Sequence, residues 1–248
     1  MLLHHTVTGS GPALLFLHSS VCDSRQWDPQ RLLATDRTVV TLDLRGYGQS
    51  PLPPEPYSDV ADVLQLLDHL RLPAAAVVGS SAGGHVALQL AANFPDRVSD
   101  LVLLCAAAPG VPPSPELRAF AEREEALLAA GDVEGATELN VRTWLGPEAD
   151  DEARESVRVM QRHAFRVQLA AGDSAQERPL EVDLSRVTAR ATVVSGGHDL
   201  DHFTTVALHL AARLPVADHV ELYWAGHLPN LERPVETTSL IGRALSRT

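Results

Sequence analysis

Three residues of this chain carry side chains that could cooperate in nucleophilic catalysis. Ser81 lies in the segment GSSAG, Asp199 in SGGHD and His227 in WAGHLPNLERP. A serine hydroxyl at its normal pKa is a poor nucleophile, and it needs an adjacent base that is itself oriented by a third group. Each segment follows an apolar run of strand length, in the order Ser, Asp, His. The pattern therefore indicates a catalytic triad with Ser81 as nucleophile, His227 as base and Asp199 as the orienting acid.

Glycines surround Ser81 in a way that a plain turn does not require. The segment GSSAG (79–83) fits the pattern G-x-S-x-G between an apolar run and a predicted helix, the context in which this pattern is informative. The strand-to-helix turn is so sharp that side chains at Gly79 and Gly83 would collide, and the serine would sit at a helix N-terminus that favours developing negative charge. Two other interpretations remain: a glycine-rich turn with an incidental serine, and His227 as an ordinary surface or core histidine among 11.

An oxyanion hole needs two backbone N–H donors aimed at the oxygen of the tetrahedral intermediate. One donor should come from the residue after the nucleophile, Ala82. We assign the other to Ser20, in the loop FLHSSVCDSRQW (16–27), and expect His18 to fix this loop structurally. The alternative interpretation of the loop is an ordinary connection.

Apolar runs of strand length alternate with helical patterns along the chain. Runs that are apolar at nearly every position suit central strands covered by helices on both faces. The alternation predicts an α/β fold with a doubly wound, mostly parallel sheet. The predicted strands are 13–18, 38–44, 74–79, 100–107, 191–196 and 219–224, and the predicted helices are 25–34, 58–70, 82–94, 202–213 and 233–246.

One long region interrupts this alternation. After PGVPPSP (109–115) the chain has helical character without a convincing strand as far as Val187. In open α/β sheets the site lies beyond the carboxyl ends of the strands, where an inserted helical region would form a cap. A helical excursion that only adds core is the alternative. We expect a cap over 113–185 and an α/β core over 1–112 and 186–248.

Local signals divide the predicted cap into helices. Gly131 and Gly146 are expected to end two of them, and Asp132 and Asp150 to cap the next ones. Within this region Trp144 is a possible wall of the substrate pocket.

Five segments together carry a resemblance to a known family: LLFLHSS, LDLRGYGQS, VVGSSAGGHVALQLAANFPDRVSDLVLL, VVSGGHD and GHLPNLERP. Over nearly its whole length the chain resembles the α/β-hydrolase fold family. That resemblance implies the α/β-hydrolase fold with a helical cap inserted after the sixth strand, and Ser81, His227 and Asp199 as the triad. Within the family, HSSVCDSRQWDPQ and GHLPNLE resemble the enol-lactonase and small-ester hydrolase branch.

The chain departs from the family pattern in two places. Ser19 stands where the family usually has a glycine after the histidine of the oxyanion loop. Only LLHHTVTG precedes the first central strand, so we expect one edge strand of the usual eight to be missing.

The resemblance implies a serine hydrolase that cleaves a small-molecule carboxylic ester or lactone through an acyl-enzyme, with no cofactor. Serine rather than aspartate at position 81 argues against haloalkane dehalogenases and epoxide hydrolases. Carbon–carbon bond hydrolases, thioesterases and cofactor-free haloperoxidases (perhydrolases) would use the same triad. A ligand receptor with slow turnover on the same fold is an alternative from another functional class.

The segment GGHDLDHF (196–203) could also be interpreted as a metal site. His198 and His202 are four residues apart, a spacing that can share a metal on a helix. A predicted strand-to-helix boundary falls within the segment, and the sequence suggests no third, distant ligand. We therefore expect no metal and assign Asp199 to the orientation of His227.

Composition excludes several classes of function. The net charge of −12 argues against nucleic acid and anionic membranes as partners, and the absence of lysine excludes Schiff-base and P-loop lysines. Cys22 and Cys105 form no metal motif and are expected to be buried and apolar in character. No apolar run approaches the roughly 20 residues of a membrane helix, and no secretory signal is apparent. We expect a cytoplasmic protein and leave its oligomeric state open.

Overall fold

A computed structural model describes residues 1–172 and 175–246. Within this part of the chain, seven strands form one sheet in the order β1-β3-β2-β4-β5-β6-β7. Strand β1 pairs antiparallel with β3, and the other neighbouring strands are parallel. The strands are β1 His5–Thr8, β2 Ala13–Leu17, β3 Thr38–Leu42, β4 Ala75–Ser80, β5 Val98–Leu104, β6 Arg190–Gly196 and β7 Ala217–Leu222. The predicted, mostly parallel sheet is confirmed.

Helices follow most of the strands, as the sequence pattern predicts. The α-helices are α1 Asp59–His69, α2 Ala82–Asn93, α3 Pro115–Ala129, α4 Val133–Trp144, α5 Asp151–Ala171, α6 Asp201–Arg213, α7 Pro229–Glu232 and α8 Pro234–Leu245. Short 3₁₀ segments lie at Ser24–Thr35, Pro95–Arg97 and Leu184–Arg186. Among the described residues, none of these helices combines the length and the apolar character needed to cross a membrane.

The sheet is buried on both faces because its strands are apolar at successive positions. Leu15, Leu17 and Val77 face a core cluster that includes residues of α1, α2 and α6. Their neighbours Leu14 and Phe16 face a second cluster, completed by the 3₁₀ segment Ser24–Thr35 and by α8. Because side chains alternate between the faces of a strand, continuous apolar runs are what a doubly covered sheet requires.

The region between β5 and β6 contains α3, α4 and α5. The side chains of Ser114, Asp132 and Asp150 accept hydrogen bonds from backbone amides three residues on, so each caps the helix that follows it. Gly131 has φ 75° and ends α3 in the left-handed conformation. Gly146 does not have this role; it permits close contact, because a Cβ there would lie 2.5 Å from the Gly226 nitrogen.

This helical region packs onto loops of the sheet. Its side chains form a third apolar cluster with residues of the β2 loop, α6 and the chain around α7. The family resemblance implies a cap after the sixth strand, whereas this helical region follows β5, the fifth strand of the described part. The cap boundaries 113–185 and core boundaries 1–112 and 186–248 stay predictions, and residues 173, 174, 247 and 248 within them lie outside the described part.

Three predicted elements differ from the structure in type or by two or more residues at both ends. The first is the predicted strand 100–107, which is β5 at Val98–Leu104. The predicted helix 25–34 is a 3₁₀ segment, Ser24–Thr35, with Pro29 in its middle. Proline has no backbone N–H to donate, which is unfavourable inside a regular α-helix. The predicted strand 219–224 is β7 at Ala217–Leu222, because the Ala225 amide donates to the Leu222 carbonyl at 3.0 Å and turns the chain there.

Candidate active site

Ser81 occupies the sharp turn between β4 and α2. Its φ of 51° and ψ of −116° are strained for a residue with a side chain. A Cβ at Gly79 would lie 2.5 Å from the Gly83 oxygen, and a Cβ at Gly83 would lie 2.3 Å from the Leu17 oxygen. Both glycines are therefore needed for the turn, as the G-x-S-x-G pattern predicts.

Backbone groups at and just after the end of β5 stabilise this turn through two hydrogen bonds. The Ser81 amide donates to the Leu104 carbonyl at 3.0 Å, and the Ser81 carbonyl accepts from the Ala107 amide at 3.0 Å. Ser81 itself is buried, with 7% of its surface exposed. The backbone conformation of the serine is thus held from outside its own turn.

Asp199 and His227 form a buried pair beyond the carboxyl ends of the strands, at the end of the sheet that also carries Ser81. Asp199 follows β6 and His227 follows β7, the strand beside it. The His227 Nδ1 lies 2.6 Å from the Asp199 Oδ2, and the two side chains are 2% and 0% exposed. A carboxylate accepts here, so Nδ1 carries the hydrogen and Nε2 is left free to act as a base.

Aromatic side chains hold the His227 ring. The rings of Trp144 and Phe203 lie 4.6 and 4.2 Å from the His227 ring, measured between centroids. The Trp144 carbonyl also accepts a hydrogen bond from the His227 amide at 2.9 Å. Trp144 therefore contacts His227 directly, while its role as a wall of the substrate pocket stays a prediction.

Glu232 fixes the loop that carries His227, a role that the sequence analysis did not identify. Its buried carboxylate accepts from the Gly226 amide at 2.9 Å and from the Leu228 amide at 3.3 Å, on either side of the histidine. Burial raises the pKa of Glu232, against the lowering effect of these amides. The residue stands in the quoted segment GHLPNLE, but sequence spacing alone does not show which amides it would bind.

The loop after β2 is held by His18 and Gln26. The His18 Nδ1 lies 2.8 Å from the Ser19 carbonyl, and its Nε2 accepts from the Leu44 amide at 3.0 Å. This arrangement requires the neutral ring, and burial lowers the pKa of His18 accordingly. Gln26 Oε1 accepts the Ser19 amide at 2.8 Å.

Ser20 and Ala82, the two predicted oxyanion donors, line one cavity of about 210 Å³. Within the described residues, neither of their backbone amides has a hydrogen-bond acceptor. Ala82 is the first residue of α2, where amides are not used by the helix itself. The geometry is compatible with the predicted oxyanion hole, which stays a prediction.

Asp43 and Arg45 stabilise the turn DLRGYGQS (43–50). The Asp43 carboxylate accepts from the amides of Ser24 and Gln49, both at 2.8 Å, and Arg45 pairs with Asp62 through two hydrogen bonds.

Among the groups that the structure describes, three potential metal ligands lie within 4.8 Å of one another, those of Cys105, Asp199 and His227.

This group fits a hydrogen-bonded pair better than a metal site. Asp199 and His227 already bind each other, and burial raises the pKa of the Cys105 thiol well above its usual range. The thiolate that a metal would require is therefore disfavoured. His198 and His202, the other metal ligands considered from the sequence, are not members of this group.

The comparisons with known proteins agree with this architecture. A family model described as "Alpha/beta hydrolase family" matches residues 14–239. The chain is 33% identical over 215 residues to "Putative carbamate hydrolase RutD" of Caulobacter segnis, covering 81% of this chain and 79% of that protein. It is 30% identical over 234 residues to "3-oxoadipate enol-lactonase 2" of Acinetobacter baylyi, covering 90% and 84%.

A solved structure of the enol-lactonase from Burkholderia xenovorans LB400 is similar over almost the whole chain. The TM-score is 0.82 at 26% identity, covering 99% of this chain and 96% of that structure. The chain belongs to the alpha/beta hydrolase family, in its enol-lactonase-like branch.

Proposed function

We propose that this protein is a serine hydrolase that cleaves a carboxylic ester or lactone through an acyl-enzyme. The observation that carries the proposal is the buried Asp199–His227 hydrogen bond of 2.6 Å, at the edge of the sheet where Ser81 occupies a strained turn. A nucleophile, a base and an acid that orients the base are the three components that serine-based acyl transfer needs.

In the acylation step, His227 Nε2 takes the Ser81 proton while the serine oxygen attacks the carbonyl carbon. The negative charge that develops on the carbonyl oxygen is stabilised by the amides of Ala82 and Ser20 and by the N-terminus of α2. His227 then gives its proton to the departing alcohol, or to the alkoxide end of an opened lactone. Asp199 holds the ring in the required tautomer and stabilises the imidazolium while it is charged.

In the deacylation step, His227 takes a proton from water, which attacks the acyl-enzyme carbonyl. Ser81 leaves with that proton and the carboxylic acid is released. The aromatic contacts of Trp144 and Phe203 favour one orientation of the imidazole through both steps. Each step uses side chains and amides of this chain.

Two relatives support an acyl substrate. The Acinetobacter relative is an enol-lactonase by name, and lactone opening is acyl transfer from oxygen to water. The Caulobacter relative carries the name of a carbamate hydrolase, so we propose carbamates as the second candidate substrate class. A carbamate carbonyl would be attacked in the same way, and it would leave a carbamoyl group on Ser81.

The test is hydrolysis of short and medium p-nitrophenyl esters by the native chain and by two alanine variants. Ser81→Ala should lose turnover by about 10³-fold or more, because it removes the nucleophile. Ser80→Ala is the matched control: it changes the adjacent serine, whose buried hydroxyl has no hydrogen-bond partner in the described residues. We expect Ser80→Ala to stay within about threefold of the native rate, because no hydrogen bond is lost.

Labelling with a fluorophosphonate separates the chemistry from the choice of ester. The native chain and Ser80→Ala should gain one phosphonyl group by mass spectrometry, and Ser81→Ala should gain none. Turnover that persists in Ser81→Ala would refute the serine mechanism. Labelling without sustained turnover of any ester would favour a selective carbon–carbon hydrolase or a receptor, and turnover of p-nitrophenyl carbamates ahead of esters would favour the second candidate class.

A further inference from the structure

The cavity that Ser20 and Ala82 line extends to two acidic side chains, Asp59 and Glu177. Asp59 begins α1 and is 9% exposed, whereas Glu177 is exposed. The backbone of residues 176–178 bonds to both backbone groups of Tyr57, which places Glu177 beside the start of α1. One cavity thus connects the predicted oxyanion donors with a buried carboxylate.

The Asp59 carboxylate has an unsatisfied oxygen. Its Oδ1 is buried and has no hydrogen-bond partner among the described residues. It is not consumed in capping α1, because the side chain of Ser58 accepts from the Ala61 amide. A buried polar atom without a partner costs free energy, which a donor supplied from the cavity that Asp59 lines would recover.

Arg45, whose positive charge acts on Asp59, does not supply that donor. Arg45 binds Asp62 through two hydrogen bonds of 2.5 and 2.7 Å, in the bidentate geometry that fully occupies one side of the guanidinium. Its guanidinium carbon also lies 5.2 Å from the centre of the Tyr57 ring. Arg45 therefore binds Asp62 in the first turn of α1, and within the described part of the chain it forms no hydrogen bond with Asp59.

The described side chains that line the cavity include acidic groups but no arginine or lysine. The acidic groups are the two carboxylates, and the chain as a whole has no lysine. The remaining basic residue on the wall is His85, whose pKa is lowered by burial, so that the ring is neutral at pH 7. Such a lining attracts a cation and repels a carboxylate.

We propose that the substrate carries a primary ammonium group, and that Asp59 binds this group in the cavity beside Ser20 and Ala82. This inference rests on the proposed ester or lactone hydrolysis and adds the charge of the substrate to it. An ammonium ion offers three donors and a positive charge, which matches both the unsatisfied oxygen of Asp59 and the acidic wall. A volume of about 210 Å³ accommodates a short aliphatic chain that ends in such a group.

Because burial raises the pKa of Asp59 to about 7, the test is made at pH 8.5, where its carboxyl is ionised. It compares three p-nitrophenyl esters with chains of similar length but different ends: 6-aminohexanoate, heptanoate and the monoester of pimelic acid. In the native chain, kcat/KM for the amino ester should exceed that for the acidic ester by about tenfold or more. Asp59→Asn should reduce the ratio of the amino ester to heptanoate by about tenfold, because it removes the charge and keeps the shape. It is expected to fold, since it replaces a buried, unsatisfied carboxylate.

The matched control is Asp68→Asn, the same change on the same helix at a side chain that is 68% exposed. It should leave the ratio unchanged. Glu177→Gln, at the exposed side of the cavity, should lower the ratio in the same direction but by less. Equal ratios in the native chain and in all three variants would overturn the inference, even if every ester is hydrolysed.

A binding experiment separates failure of this inference from failure of the proposed function. If no ester is hydrolysed, Ser81→Ala is titrated with n-butylammonium and with butyrate, and binding is followed by NMR. Binding of butylammonium that weakens about tenfold in Ser81→Ala/Asp59→Asn would uphold the acidic subsite without the hydrolase proposal. Binding of butyrate in preference to butylammonium, or binding of neither, would overturn it.

Discussion

Gln26 and Asn230 bind each other through two buried hydrogen bonds and connect the two loops that flank the site. The Gln26 Nε2 donates to the Asn230 Oδ1 at 3.1 Å, and the Asn230 Nδ2 donates to the Gln26 carbonyl at 2.8 Å. Gln26 also accepts the Ser19 amide. The proposed oxyanion loop and the loop of His227 are therefore connected through Gln26 and Asn230, and Gln30 also binds Asn230.

Removing the Gln26 side-chain amide should lower the stability of the protein. Gln26→Met keeps the approximate volume and the hydrogen bond to the Gln26 backbone carbonyl, but it leaves the Ser19 amide and the Asn230 Oδ1 buried without their partners. At about 1–3 kcal/mol for each unsatisfied group, the free energy of unfolding should fall by roughly 2–4 kcal/mol in urea titrations. Gln65→Met, at an exposed glutamine of α1, is the control and should change it by less than about 0.5 kcal/mol. Equal unfolding free energies for Gln26→Met and the native chain would contradict this structural role.

The sequence predicts the triad residues but not the pairing of Gln26 with Asn230, and the difference has a physical reason. Ser81, Asp199 and His227 each follow a strand in a short segment of recognisable pattern, so local sequence identifies them. Gln26 and Asn230 are 204 positions apart, and no local pattern marks them as partners. Their pairing depends on which strands end side by side, and only the folded sheet determines that.

The same limit applies to the acidic cavity but not to the helix caps. In the sequence Asp59 resembles any acidic residue in the first turn of a helix, and Glu177 comes more than 100 positions later, after α5. Their common cavity follows from the backbone bonds between Tyr57 and residues 176–178. In contrast, the helix caps at Asp132 and Asp150 are local interactions, and the sequence predicted both.

Two glycine-to-alanine changes should have opposite effects on stability. Gly83→Ala would place a Cβ 2.3 Å from the Leu17 carbonyl oxygen, which is backbone and cannot move aside easily. We expect the free energy of unfolding to fall by about 3 kcal/mol or more, since this contact is closer than ordinary overpacking. The variant should also lose ester hydrolysis, because the strained turn of Ser81 could not form.

Gly242→Ala in α8 is the matched control for this change. A Cβ there would meet only the Leu33 side chain at 3.7 Å, an ordinary contact. Because alanine favours the helix more than glycine does, the variant should be up to about 1 kcal/mol more stable. Thermal and urea unfolding of both variants measure the difference, and a Gly83→Ala protein as stable as Gly242→Ala would show that the turn is not constrained as described.

Asp199→Asn tests the orientation of the catalytic histidine. An asparagine at this position can present its NH₂ to Nδ1 and favour the wrong tautomer, in which Nε2 carries the hydrogen and cannot act as a base. We expect kcat for an active p-nitrophenyl ester to fall by about 10³–10⁴-fold with little change in unfolding free energy. Asp201→Asn, two residues further on and exposed, should retain at least half of kcat. A loss below about tenfold in Asp199→Asn would argue that another acid orients His227.

The pH dependence of stability should report the buried state of Asp59. Burial, together with the negative charges of Glu177 and Asp62 and against the effect of Arg45, raises the pKa of Asp59 to about 7. In the unfolded chain its pKa is about 3.9. Between these values the folded protein binds a proton that the unfolded chain does not. The Asp59 contribution to stability is therefore fully present below about pH 4 and is lost as the pH rises through about 7.

Asp59→Asn removes this dependence, so its unfolding free energy relative to the native chain should depend on pH. The two proteins should differ least near pH 4, and the variant should become more stable by roughly 1–4 kcal/mol above pH 8. The position of Asp59 in the first turn of α1 favours its charged form and places the expected value below the upper end of this range. Tyr47 and Tyr57, which also line the cavity, have pKa values raised mainly by burial and stay neutral at these pH values. Urea titrations at each pH measure the difference. A constant difference for Asp59→Asn would mean that Asp59 is charged in the folded protein throughout.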